Sequence, residues 1–147
     1  GNLLDPRDIV KELKGEFGVD ALRYFLLREI PFGMDGNFSI EALIKRFDSD
    51  LADDLGNLIY RTMTMVEKYF SYKVPSYSKD SADVSLAKST LSLASSVEEY
   101  MARLDLIGAL ASIWAVINKA NKYIEESAPW KLAKEKNAKE IENKRGK

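Results

Sequence analysis

Apolar positions recur at steps of three and four along most of this chain, interrupted by a few stretches rich in Gly, Pro, Ser and Asp. That period is helical. "DPRDIVKELKGEFG" offers Asp5 as N-cap, Pro6 at the first helical position, and Gly15 or Gly18 as stop signals. "VDALRYFLLREI" places Leu22, Phe25, Leu26 and Ile30 on one face and predicts a buried helix of about three turns. "PFGMDGNFS" is a turn-rich connector with a short strand expected around Phe38. Ser39 then fits an N-cap, with Glu41 in the first turn where a negative charge suits the helix dipole. The helical pattern runs on to about Phe70, with a break expected near Asp48–Asp50. "SYKVPSYSKDSAD" reads as a loop, helices over about 84–104 and 105–126 follow, and a segment opened by Pro129 comes last. No internal repeat is visible. The pattern predicts an all-α helical bundle behind a short mixed α/β N-terminal part.

Within the long helical stretch, Leu51, Leu55, Leu58, Thr62, Met65 and Tyr69 form the expected buried stripe. Asn57 and Arg61 stand one turn apart on its shoulder, where a groove-lining pair would sit. Spacing alone favours the ordinary reading, a surface Asn and an Arg neighbouring Asp54. In the last long helix, Leu106, Leu110, Ile113, Ile117 and Ile124 share a face flanked by Trp114, Asn118 and Asn121. Trp114 reads most simply as core. Asn121 fits either a cap on a neighbouring backbone or a ligand contact.

Composition narrows the chemistry. The 147 residues suffice for one domain with a core, 46% hydrophobic and 31% charged, with 8 Gly and 4 Pro. Without Cys there is no disulfide or thiolate zinc site, and without His the commonest general base is missing. The usual hydrolytic constellations are therefore excluded. No run of about 18 apolar residues exists, so no transmembrane helix is expected. The start has neither an initiator Met nor the form of a signal peptide, which reads as a piece of a longer polypeptide in a cytoplasmic setting.

The net charge is only −1, but it is unevenly spread. Asp48, Asp50, Asp53 and Asp54 fall within 48–56 without a Lys or Arg, and Asp50, Asp53 and Asp54 are expected to be solvated rather than a magnesium site. Residues 131–147 carry seven cationic side chains against three anionic ones, so Lys131 and Lys134 could follow a phosphate backbone. "GMDGN" reads as a tight turn, not a phosphate loop. No nucleophile–base pair and no metal cluster stands out.

Trp130, wedged between Pro129 and Lys131, either plugs a core or is held out for something flat. A tryptophan face can stack a nucleobase for about 1–3 kcal/mol. Asn57 supplies a donor and an acceptor, and Arg61 a rigid fork of donors. Together they could read the Watson–Crick edge of an unpaired pyrimidine such as cytosine.

"GNLLDPRDIV…FGVDALRYFLLREIPFGMDGNFS" resembles the segment that follows the KMSKS loop in methionyl-tRNA synthetases. "DLADDLGNLIYRTMTM" and "NKYIEESAPWKLAK" are similar to the anticodon-binding helices of that family, and the resemblance runs from Gly1 to about Lys136. "DALRYFLL" is also shared in spirit with the leucyl, isoleucyl and valyl enzymes. The resemblance implies a stem-contact region over 1–38 and a helical anticodon-binding domain over 39–147. It implies that Asn57 and Arg61 bind the first anticodon base, a cytosine, and that Trp130 stacks with the anticodon loop. Asn121 is a further candidate, with Lys131 and Lys134 near the RNA backbone. The partners implied are tRNA(Met) and the catalytic domain of the same polypeptide. The parent would use ATP with magnesium, while this part would hold no cofactor, metal or catalytic residue. The family's bundle usually continues further, so an uncovered apolar face and self-association are expected. The alternatives are the equivalent module of a related aliphatic-amino-acid synthetase and a helical scaffold without RNA binding.

Overall fold

The computed structural model describes residues 5–13, 17–74, 76 and 84–135. Helix α1 spans Pro6–Glu12, and the Asp5 carboxylate accepts from the Arg7 N–H at 2.8 Å, as the capping pattern predicts. Helix α2 spans Phe17–Glu29. Gly18, expected as a stop, lies inside its first turn. A Cβ there would stand 3.0 Å from the Val10 carbonyl oxygen and 3.2 Å from the Leu13 side chain, so glycine lets α1 and α2 approach closely. Gly15 lies outside the described residues.

Helix α2 buries Leu22 and Phe25, whereas Leu26, expected beside them, is 38% exposed. The connector turns at Gly33, whose φ of +79° favours glycine, with the Met34 N–H donating to the Pro31 carbonyl. The strand expected around Phe38 does not form. Residues 35–39 lack regular structure, and among the described residues there is no strand for them to pair with. Phe38 instead meets Phe25 edge to face at 5.5 Å. The architecture is all-α.

Ser39 caps α3 (Ile40–Phe47) by accepting from the Ala42 N–H at 3.0 Å. The break expected at Asp48–Asp50 is absent. The helix widens into a π-helical stretch, Asp48–Gly56, and continues as α4, Asn57–Phe70. At the join the Asn57 N–H reaches back five residues to the Ala52 carbonyl. The predicted stripe is only half-buried, and Thr62 is exposed with its hydroxyl donating to the Leu58 carbonyl. No α4 side chain is fully buried.

One core unites Ile9, Ala21, Leu22, Phe25 and Leu43, so the long helix is packed directly against α1 and α2. Beside it lies a polar clasp. Asp50, expected to be solvated, is 3% exposed. It accepts from the Tyr24 hydroxyl at 2.6 Å and the Arg28 Nε at 3.0 Å, while Arg46 Nη1 lies 3.3 Å from its other oxygen. Arg46 also pairs with Glu29. Burial pushes the Asp50 carboxyl up, but the hydrogen bonds of Tyr24 and Arg28 and the two guanidinium charges outweigh it and hold it below the usual carboxylate range. Burial, and then Asp50, push the Tyr24 phenol well above its ordinary value. Charge enters this interior because every partner comes with it.

Helices α5 (Val84–Ala102) and α6 (Leu106–Ser127) form a hairpin turned at Leu104, with Asp105 capping the Gly108 N–H at 2.8 Å. Helix α6 packs against α5 and crosses α2, the π-helical stretch and α4. Its deepest residues are Ala109 and Trp114, the latter 5.8 Å from the Tyr24 ring, so Trp114 is core as read. Ala128, at φ 41°, ends α6 in the left-handed conformation. A further helix, α7, then runs over 129–135, up to the end of the described residues, with Pro129 at its first position.

Candidate nucleic-acid interface

The abrupt turn at Ala128 decides where Trp130 points. Reversing the chain there brings the first turn of α7 back against α4, with the Lys131 N–H donating to the Ala128 carbonyl at 2.8 Å. The Trp130 ring is half-buried, and the Arg61 guanidinium lies over it at 5.5 Å from the ring centre. Arg61 Nη1 also lies 2.6 Å from the Glu125 carboxylate on α6. Two restraints, an anion and an aromatic face, thus hold one guanidinium, whose other N–H donors keep their capacity to bind.

Of the residues singled out in the sequence, the fold brings Arg61 and Trp130 into contact. Asn57 lies one turn before Arg61 on α4 and is exposed, as a ligand-reading amide needs to be. Asn121 has a different environment. Its Nδ2 donates to the Asp54 carbonyl at 3.1 Å, and its Oδ1 is buried. Its amide therefore ties α6 to the π-helical stretch. The same Asp54 carbonyl also accepts from the Asn57 N–H, so the side-chain amide adds a second donor there. Lys131 and Lys134 are exposed on α7, and Lys134 is one turn beyond Trp130 on the same side of that helix.

Sequence reasoning missed several participants. Glu125 gives no local signal, since only the crossing of α4 and α6 joins it to Arg61. A groove beside the Arg61–Trp130 pair is lined by Tyr60, Thr64, Met65, Lys68 and Tyr69. Tyr60 is 72% exposed. It falls off the buried stripe and precedes Arg61, and an exposed aromatic beside a cation was the available cue. Among the described residues, no group of three His, Cys, Asp or Glu side chains is placed to hold a metal ion, and no helix is long and apolar enough to cross a membrane.

The chain is similar to known proteins over nearly all its length. The family model described as class I tRNA synthetases (M) matches residues 4–63. The methionine–tRNA ligase of Caldanaerobacter subterraneus is 52% identical over 147 residues, which is 99% of this chain and 22% of the relative. That of Halalkalibacterium halodurans is 46% identical over 142 residues, 95% of this chain and 21% of the relative. The crystal structure of free Mycobacterium tuberculosis methionyl-tRNA synthetase superimposes with a TM-score of 0.80 at 39% identity, covering 90% of this chain and 26% of that one. The same enzyme bound to methionyl-adenylate gives 0.80 at 40% identity, covering 91% and 26%. This chain spans about a fifth of the length of the curated relatives it matches.

Proposed function

Because the chain belongs to the class I methionyl-tRNA synthetase family, we propose that it is the anticodon-reading part of a methionine–tRNA ligase. The ligase would charge tRNA(Met) with methionine in the cytoplasm, using ATP and magnesium in a catalytic domain that this chain does not span. Residues 1–38 would rest against the inner side of the tRNA, and 39–147 would meet the anticodon loop. The observation that carries this reading is the Arg61 guanidinium poised over the half-buried Trp130 ring at the edge of an open groove.

The mechanism is recognition by binding energy at a distance from the chemistry. An unpaired cytosine offers acceptors at its ring nitrogen and carbonyl and a donor at its amino group. Arg61 can donate to the acceptors, and Asn57, one turn away, can accept from the amino group. The exposed part of the Trp130 face stacks the base, and the turn at Ala128–Pro129 presents the ring in place, so less entropy is lost on binding. Lys131 and Lys134 then act as point charges near the strand. Asn121 is assigned a positioning role, holding α6 against the π-helical stretch that leads into α4.

The test is a fluorescence titration of the chain with a CAU anticodon stem-loop, using a UAU loop as control. Trp114 is buried, so the expected quenching by CAU comes from Trp130 and disappears in Trp130→Phe. Equal binding of both loops would overturn the base-reading assignment.

A further inference from the structure

We propose that the groove beyond Arg61 and Trp130 is a second nucleotide subsite. In it Tyr60 stacks the base adjoining the first anticodon base, and Lys68 holds a phosphate of the same strand. The inference rests on the base-reading role proposed above and extends it to residues with no assigned part in that role.

Helical geometry builds the groove from two rows. Arg61, Met65 and Tyr69 follow one another at single turns on the side next to Trp130, and Tyr60, Thr64 and Lys68 do so on the outer side. The outer row has an aromatic at one end, a small side chain in the middle and a cation at the other. Tyr60 is 72% exposed, which leaves its face open to a flat partner. Lys68 lies about two turns, or roughly 10 Å, beyond Arg61. The charge balance also favours a strand of phosphates. Arg61, Lys122 and Arg103 are paired with Glu125, Glu126 and Glu99, but Lys68 has no carboxylate partner among the described residues. Its ammonium lies 5.8 Å from the centre of the Tyr69 ring, inside the groove, while its neighbour Glu67 accepts from the Tyr72 hydroxyl. A cation held over an aromatic ring, without an anion, beside an open tyrosine face, suits a single-stranded nucleotide.

The experiment measures affinities of the 147-residue chain and three variants, Tyr60→Leu, Lys68→Gln and Arg61→Ala, for CAU and UAU stem-loops. In further CAU loops an abasic residue replaces the nucleotide on either side of the first anticodon base in turn. Tyr60→Leu should weaken intact CAU and UAU loops alike, by roughly 5- to 100-fold. For one of the two abasic loops that loss should vanish, since the base it would stack is gone. Lys68→Gln should lower the salt dependence of log K by about 0.7, the release expected for one single-strand phosphate. Both side chains are exposed, so unfolding temperatures should stay unchanged. If Arg61→Ala abolishes the preference for CAU while Tyr60→Leu and Lys68→Gln bind like the unaltered chain, the second subsite is overturned and the base-reading role stands. If Arg61→Ala leaves the preference intact, that role fails, and this inference with it.

Discussion

Arg61 on α4 and Glu125 on α6 meet at 2.6 Å, and the same guanidinium lies over the Trp130 ring. Glu125 is 60% exposed, so the pair contributes only about 0–1 kcal/mol to stability. On the proposed base-reading role its larger effect is on binding, because a base that takes the Arg61 donors would share that guanidinium with a carboxylate. Glu125→Gln should therefore strengthen binding of anticodon stem-loops, with unfolding temperature nearly unchanged. Parallel titration and thermal unfolding of the variant check this. Unchanged or weaker binding would show that Glu125 orients Arg61 rather than competing for it.

Trp130 is half-buried, so its truncation should affect both binding and packing. Trp130→Ala should cost about 1–3 kcal/mol of loop affinity. The loss of stability should stay below the ~3–5 kcal/mol of a fully buried aromatic. Urea unfolding and stem-loop titration of the same preparation separate the two effects.

Asn121→Ala removes the donor to the Asp54 carbonyl, leaving an acceptor without its side-chain partner at the α6 seam. The expected loss is about 1–2 kcal/mol of stability. The preference for a C-first over a U-first loop should remain. A selective loss of that preference would return Asn121 to the set of base-reading residues.

The Asp50 clasp makes a pH-dependent contribution. Its carboxyl is held below the usual range in the folded chain, so the stabilisation is present above about pH 4 and is lost as pH falls from there through the folded value. Asp50→Asn should destabilise by about 3–5 kcal/mol at neutral pH, because Arg28 and Arg46 lose their common anion. That difference from the unaltered chain should shrink below about pH 4. A difference independent of pH would assign the effect to packing instead.

Local rules were legible in the sequence because they involve only a few neighbouring residues. The caps at Asp5 and Ser39, the core role of Leu22, Phe25 and Trp114, and the helical class followed from spacing and side-chain chemistry. So did the pairing of Asn57 and Arg61 on one shoulder of a helix. The stacking chemistry of an indole face joined Trp130 to that pair, and the motif resemblance implied one shared role for the three. Gly18 and Phe38 went the other way. A glycine that allows two helices to approach looks the same in sequence as one that stops a helix, and an extended apolar residue looks the same with or without a partner strand.

The sequence by itself determined most of the helices and the side-chain chemistry available along them. Tertiary structure alone decided which of them meet. Packing of the π-helical stretch against α6 brought the Asp54 carbonyl to Asn121. The crossing of α4 and α6 matched Arg61 with Glu125, and the turn at Ala128 laid Trp130 against the guanidinium. Asp50 was placed by the same kind of event, since its neighbours in sequence suggest solvent and its neighbours in space are Tyr24, Arg28 and Arg46. The physical reason is range. Helical periodicity acts over a few residues, whereas desolvation, ion pairing and stacking depend on surfaces that come together only when distant helices pack.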